Sequence, residues 1–219
     1  TADDSLEHAN ELYDIGCRLF CVDVAHGHHS AAISAVTDLR RVCTEAFIIA
    51  GNVATLEAFD ALADAGANAV RVGIGGGSVC STRIVTGHGV PTFQSVVDCA
   101  NSDRNCYIIA DGGLRTSGDV VKALAAGADF VMLGSMLAGK LESPGETKNI
   151  DGTLYKNYRG MASANAQLDW RGKVSVTEGV DSWREVSESL AESIDDITAG
   201  MRSGLSYSGC DNLGDFYAA

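Results

Sequence analysis

The sequence predicts an α/β fold in which parallel strands alternate with helices. Three observations carry that prediction. Five short apolar runs, rich in β-branched and aromatic residues, recur before residue 136. Amphipathic stretches stand between them, and Gly, Asp, Asn or Ser marks the exit of each run. Strand and helix alternating at short intervals is the signature of a parallel sheet built from βα units.

The runs are RLFCVDVA (18–25), FIIAGNV (47–53), NAVRVGI (68–74), CYIIADGG (106–113) and DFVMLGS (129–135). Each is nearly continuous in apolar residues, which predicts strands buried on both faces. TLEAFDALADAGA (55–67) reads as a helix opened by Thr55 as N-cap and closed at Gly66. SGDVVKALAAGA (117–128) repeats the design, so the tripeptide AGA precedes a strand twice, at 65–67 and 126–128.

A doubly wound sheet and a (β/α)8 barrel both suit this order. The strand exits DVAHG, AGNV, GIGGGS, ADGG and LGS favour the barrel, whose active sites lie at that end of the strands. The last two resemble the paired phosphate loops of such barrels. Five strands cannot close an eight-stranded barrel, so the expectation is strands four to eight, with about three βα units N-terminal to residue 1. Residues 1–219 are then the C-terminal part of one catalytic barrel domain. From about 140 to 188 the chain turns polar and irregular, as expected of a functional flap, with a hairpin around Asp151-Gly152. A helix follows over 189–209, with Leu190, Ile194, Ile197 and Met201 on one face. The acidic residues Glu185, Glu188, Glu192, Asp195 and Asp196 read as a solvated helix face.

A net charge of −13 argues against nucleic acid and anionic membranes as partners. It leaves room for an anionic substrate, because backbone amides at helix N-termini bind phosphate without net positive charge. No apolar run approaches the roughly 20 residues that span a bilayer. Seven cysteines, an odd number without CxxC spacing, predict a reduced cytoplasmic protein without structural zinc. His26, His28 and His29 lack acidic or cysteine partners at ligand spacing and read as a polar strand-end loop.

The chemistry concentrates in VGIGGGSVCSTR (72–83). A dense glycine run lets backbone approach a ligand closely. Cys80 follows it among Ser78, Ser81, Thr82 and Arg83, poor company for a core residue, and so reads as a nucleophile. Two further turns point to a nucleotide. Asp111 suits ribose hydroxyls, and the amides of Gly113, Gly134 and Ser135, with Ser78, suit a phosphate.

These segments, with DVAHGHHS, AGNV, TGHGVP, ESPGE, the YRGMAS stretch and EGV, resemble the inosine monophosphate dehydrogenase / guanosine monophosphate reductase family from about residue 20 to 209. The resemblance implies a (β/α)8 barrel, assembled as a homotetramer, that acts on GMP or IMP. It implies that Cys80 attacks C2 of the purine to form a thioimidate, with Thr82 and Glu178 as a proton-transfer dyad. Ser78, Asp111, Gly112, Gly113, Gly134 and Ser135 would hold the ribose phosphate, and Gly160, Met161, Ala162 and Gly179 the base. Asp23, Val24, Ala25, Ile74 and Gly75 would meet the nicotinamide cofactor, and Ser203 and Ser206 the cofactor of a neighbouring subunit. Gly75, Gly77, Cys80 and Arg83 resemble a monovalent-cation site for K+. Gly76 departs from the proline usual in the family, which leaves the cysteine loop less rigid.

The two enzymes of the family share the covalent intermediate and differ in the flap. The dehydrogenase hydrolyses its adduct with a long flap bearing an Arg-Tyr pair, whereas the reductase needs no water. Here MASANAQLDWRGKVSVTE (161–178) is short and has no Arg-Tyr pair, so it resembles the reductase. The implied activity is NADPH-dependent reductive deamination of GMP to IMP and ammonia. NAD-dependent IMP oxidation and a non-catalytic purine-nucleotide binding module are the alternatives. One position differs from animal reductases: the arginine often found three places before the glutamate is Ser175 here.

Overall fold

The computed structural model describes residues 2–218. The chain forms α1 (Ala2–Asp14), β1 (Leu19–Asp23), α2 (Ser30–Val42), β2 (Phe47–Val53), α3 (Leu56–Asp64), β3 (Ala69–Val72), α4 (Thr82–Thr86), α5 (Thr92–Cys99), β4 (Tyr107–Asp111), α6 (Ser117–Ala125) and β5 (Phe130–Met132). There follow β6 (Thr147–Ile150), β7 (Thr153–Arg159), α7 (Ala164–Arg171), β8 (Asp181–Glu185), α8 (Leu190–Tyr207) and α9 (Leu213–Ala218). These divide into two compact units. One holds the chain through Ile74 with Val90–Ala110 and Ala126–Val131; the other holds Gly75–Gly89, Asp111–Ala125 and the chain from Met132.

The first unit is built on a five-stranded sheet in the order β1-β2-β3-β4-β5. The pairs β1/β2, β2/β3 and β3/β4 are parallel, with Cys21 opposite Ile49, Ala50 opposite Val70 and Val70 opposite Ile108. Spatial order follows chain order without the reversal that marks a doubly wound sheet, which is the arrangement of a barrel arc. Helices α2, α3 and α5 pack on the sheet through Val36, Leu39, Phe59, Leu62, Val96 and Cys99, all buried with Ile48, Ala50, Val70, Val72, Ile108 and Ala110. The expectation of strands buried on both faces holds for most of β2 and β3 and fails at the two edge strands. Leu19 is 60% exposed on edge strand β1 and Phe130 54% on edge strand β5. The alternate residues Phe47 and Tyr107 instead stack on each other with centroids 6.3 Å apart, and Tyr107 meets Phe130 edge-on at 5.7 Å.

The repeated AGA has a physical cause. Gly66 and Gly127 sit at φ +108° and +105°, a conformation that favours glycine, and end their helices. Three residues later, counting from the first alanine of each repeat, comes Asn68 or Asp129. Asn68 Oδ1 accepts the Ile48 N–H at 2.8 Å, and Asp129 Oδ2 accepts the Ile108 N–H at 2.7 Å. Each turn thus ties the start of one strand to the strand before it and sets their register. Arg40 braces the first turn, donating to Gly66 O at 3.0 and 3.1 Å and to Ala46 O at 2.8 Å.

The second unit contains a three-stranded antiparallel sheet, β6-β7-β8. The predicted hairpin is present, with Ile150 opposite Thr153 and Asp151 at φ +50° in the turn. The rest of the supposedly irregular stretch is ordered: β8 pairs with β7 and α7 stands between them in sequence. Lys156, 7% exposed, holds this sheet to the preceding loop. Its ammonium donates to the carbonyls of Lys140, Leu141 and Ser143 at 2.9, 2.7 and 2.5 Å, so all three donors are used.

Helix α8 opens with a capping box between Ser189 and Glu192. Its packing face is the expected one only in part, since Ile197 is buried and Met201 half-buried. Leu190 and Ile194 are 38% and 44% exposed, whereas Ser193 and Ile197 are buried. Gly200 and Gly204 complete the contact with α6, where an added methyl would meet Ser117 and Val121. The acidic reading is corrected too. Glu185 lies on β8, Glu192 caps the helix, and Glu188 pairs with Lys140. Among the described residues, no helix is long and apolar enough to cross a membrane.

Candidate active site

The loop after β3 carries Cys80, and short backbone contacts fix its position within the second unit. The Cys80 N–H donates to Gly77 O at 3.1 Å, making a tight turn of the glycine run. Cys80 then forms an isolated antiparallel bridge with Gly179. The Ser81 N–H donates to Glu178 O at 2.8 Å and the Val180 N–H to Val79 O at 2.9 Å. Segment 160–163 joins the same knot: Gly160 N–H donates to Val180 O at 3.1 Å and Glu178 N–H to Ala162 O at 3.2 Å. Residues a hundred positions apart in sequence are therefore held as one piece by main-chain hydrogen bonds alone.

Side chains line up on that piece. The Cys80 thiol donates to Thr82 Oγ1 at 3.2 Å, and the Thr82 hydroxyl donates to Glu178 Oε2 at 2.9 Å. Cys80 is half-buried, as are Thr82 and Glu178. Cys43 and Cys99, by contrast, are sealed in the core. A thiol, a hydroxyl and a carboxylate in one hydrogen-bonded line can carry a proton from sulfur toward the carboxylate and return it to a leaving group.

The turns predicted for phosphate surround this loop. Gly112 has φ +89°, and a Cβ there would stand 3.0 Å from Gly76 C and Gly77 N, so only glycine lets the ADGG turn lie against the cysteine loop. A Cβ at Gly134 would stand 2.7 Å from Tyr158 Oη, which places the Tyr158 hydroxyl at the turn after β5. Ser78, Ser135, Met136, Arg115 and Arg184 line a cleft of about 380 Å³. Gly113 is exposed, and Asp111 and Gly112 are half-buried.

The stretch before Glu178 is held by a residue that the sequence reading missed. Gln167, 2% exposed on α7, donates from Nε2 to Ala162 O at 3.0 Å and Val176 O at 3.1 Å. Its Oε1 accepts the Ser175 N–H at 2.8 Å and the Ser175 hydroxyl at 2.9 Å. All four positions of the amide are used, which closes 162–176 onto itself. Arg171 Nη1 donates to Ser175 Oγ at 3.4 Å and its guanidinium lies 4.1 Å from the Trp170 ring centroid. Met161, expected at the base, is 71% exposed. Tyr158 and Arg184 were also missed. Tyr158 is the first residue of the YRGMAS stretch and was given no role there; Gln167 and Arg184 carry no sequence signal.

The cofactor-side residues fall on both units. Asp23, Val24, Ala25 and Ile74 belong to the first. Asp23 Oδ1 pairs with Arg71 at 2.7 Å while its side chain stays 58% exposed, and Val24 pairs by backbone with Gly51 and Asn52. Gly75, Ser203 and Ser206 belong to the second, where the two serines are exposed on α8. Arg83, expected near a cation, runs its side chain along Gly75 and Gly89, and its carbonyl accepts the Gly87 N–H at 3.1 Å. His29 Nδ1 accepts the Ala31 N–H at 3.1 Å and caps α2, so that histidine has a structural task.

A cysteine-bearing loop that follows a parallel strand, with glycine turns after the next two strands, is the strand-end arrangement of an α/β barrel site. The chain belongs to the IMP dehydrogenase / GMP reductase family, whose domain model matches residues 1–219. It is 42% identical to inosine-5'-monophosphate dehydrogenase of Nitrosopumilus maritimus across 96% of this chain and 47% of that one. It is 43% identical to the Bacillus subtilis protein of the same name across 96% of this chain and 45% of that one. Its structure superposes on a GMP reductase of Trypanosoma brucei, solved in complex with guanosine 5'-monophosphate, with a TM-score of 0.92 and 40% identity over 98% of this chain and 46% of that one. The chain thus spans about half the length of these relatives.

Proposed function

We propose that the protein is a GMP reductase, working in purine nucleotide salvage as the C-terminal part of a catalytic barrel. The observation that carries this is the Cys80–Thr82–Glu178 line beside a short 161–178 stretch that has no Arg-Tyr pair. In this reading Thr82 relays the thiol proton toward Glu178 as Cys80 Sγ bonds to C2 of GMP. Thr82 then hands a proton to the amine, which leaves as ammonia. Glu178 holds the Thr82 hydroxyl in line throughout. NADPH would supply the hydride that replaces sulfur at C2; as the C–S bond breaks IMP departs, and Cys80 leaves as a thiolate that takes up a proton from solvent to regain its thiol.

Ser78, Gly113, Gly134 and Ser135 hold the phosphate, with Tyr158 Oη beside Gly134. Asp111 and Gly112 hold the ribose, and Gly160, Met161, Ala162 and Gly179 the base. Asp23 fits a cofactor carboxamide, because its carboxylate is oriented by Arg71 yet stays open to solvent. The carbonyls of Gly75, Gly77 and Cys80 fit K+ in kind, being neutral hard oxygens. The Gly77 and Arg83 carbonyls each already accept one hydrogen bond, from the Cys80 and Gly87 N–H groups, which leaves those of Gly75 and Cys80 the freer donors to a cation. A homotetramer in the cytoplasm completes the proposal.

A second reading, NAD-dependent IMP oxidation, is favoured by the names of the relatives above. Absorbance at 340 nm separates the two. The intact protein is expected to consume NADPH with GMP; production of NADH from IMP and NAD would reverse the assignment. Cys80→Ala is expected to abolish either activity, and nucleotide binding without turnover by the wild type would favour a binding module.

A further inference from the structure

Two arginines line the cleft that holds Ser78, and no carboxylate lines it; Arg115 also borders the adjoining cleft of Glu188 and Asp196. Arg184 and Arg115 line the first cleft together with Ser78, Ser135 and Met136. Arg184 Nη2 donates to Ser78 Oγ at 3.4 Å, its guanidinium carbon lies 5.7 Å from the Tyr158 ring centroid, and its Nε is buried without a hydrogen-bond partner. Among the described residues, neither arginine forms an ion pair. The chain could easily have supplied a partner, given its net charge of −13.

The strand register makes the placement more telling. Arg184 on β8 sits directly opposite Lys156 on β7, and like charges in that position are destabilising. Lys156 escapes by turning its ammonium into three carbonyls. Arg184 has no such outlet and points its fork at Ser78. A partly buried guanidinium with an idle donor is costly unless an anion completes it. Its planar fork suits phosphate in particular.

We infer that Arg184, assisted by Arg115, is the charged half of the substrate's phosphate subsite and makes the protein select nucleoside 5'-monophosphates over nucleosides. This deepens the nucleotide reading above and rests on it. Ser78 and Ser135 supply hydroxyls to the same group, and Arg184 is a binding residue whose effect falls on affinity.

The test titrates the intact protein with GMP, IMP and guanosine by calorimetry and measures turnover with NADPH. Arg184→Met keeps most of the side-chain stem and removes the charge. It is expected to weaken GMP and IMP about 10- to 100-fold, to leave guanosine unchanged, and to raise KM for GMP with kcat nearly constant. Arg184→Lys should recover part of the loss, and Arg115→Met, on a loop and clear of strand pairing, should weaken GMP in the same sense. Equal loss for GMP and guanosine would mark Arg184 as structural and overturn the inference. So would wild-type GMP affinity in both Met variants, or a rise confined to the KM of NADPH, which would move the subsite to the cofactor's phosphate. Failure of the wild type to bind any of the three would instead bring down the nucleotide reading beneath it.

Discussion

The two compact units are held together by different means. In the first, apolar side chains do the work: Phe59, Leu62, Val36 and Val96 fill the space between helices and sheet, and polar groups appear where turns set register, as at Asn68 and Asp129. In the second, a buried amide, a buried ammonium and a ladder of main-chain bonds fix the parts around Cys80. Apolar packing is tolerant of detail and gives a stable frame. Hydrogen-bonded networks are directional and fail when one member is lost, which suits a place where reacting atoms must be held in line.

Substitutions sharpen that contrast. The largest effect is expected in the relay. Glu178→Gln should lower kcat by about 10²- to 10⁴-fold while leaving thermal stability near wild type, read by steady-state kinetics beside calorimetry. An unchanged kcat would remove Glu178 from proton transfer. Phe59→Ala, at 1% exposure in the first unit, should have the opposite signature. It should cost about 3–5 kcal/mol of stability with kcat preserved at low temperature, measured by denaturant unfolding.

Gln167→Leu lies between these. It conserves volume but strands two carbonyls and the Ser175 donors, so about 1–3 kcal/mol is expected, with loss of activity at temperatures below global unfolding. A variant as active and stable as wild type would show that the short stretch needs no internal clasp.

The smallest effect concerns acid. The Lys140 ammonium holds the Glu188 carboxyl down to about 2, against an ordinary 4.5, helped by the Ser193 hydroxyl. A depressed carboxylate contributes stability above its unfolded value and loses it as pH falls toward its folded one. Glu188→Gln should therefore be slightly less stable than wild type at neutral pH, and the difference should shrink to nothing as pH falls from about 4.5 to 2, as read by thermal unfolding across that range.

The same contrast explains what the sequence disclosed. All five parallel strands and the α3 and α6 helices were legible, because apolar runs, N-caps and glycine exits are local signals. Strand β8 and helix α7 were not: DSWRE and ANAQLDWR are too polar to announce a periodicity. The face of α8 was right at Ile197 and wrong at Leu190 and Ile194, because contact with α6 uses Gly200 and Gly204, small residues that permit close approach. In the site, Cys80 stood out by its company of glycines and hydroxyls. Thr82 and Glu178 came only through family resemblance, since nothing local links residues so far apart. Gln167, Lys156 and Arg184 owe their roles to burial, and polar residues are usually exposed.

The bridge between Cys80 and Gly179 has a mechanical corollary. Because the Glu178 carbonyl is bonded to Ser81 and the Val180 N–H to Val79, the backbone that bears the carboxylate is tied to the backbone that bears the cysteine. Under the proposed function, a displacement of the 164–175 segment would leave the acid–base partners together as a preassembled unit.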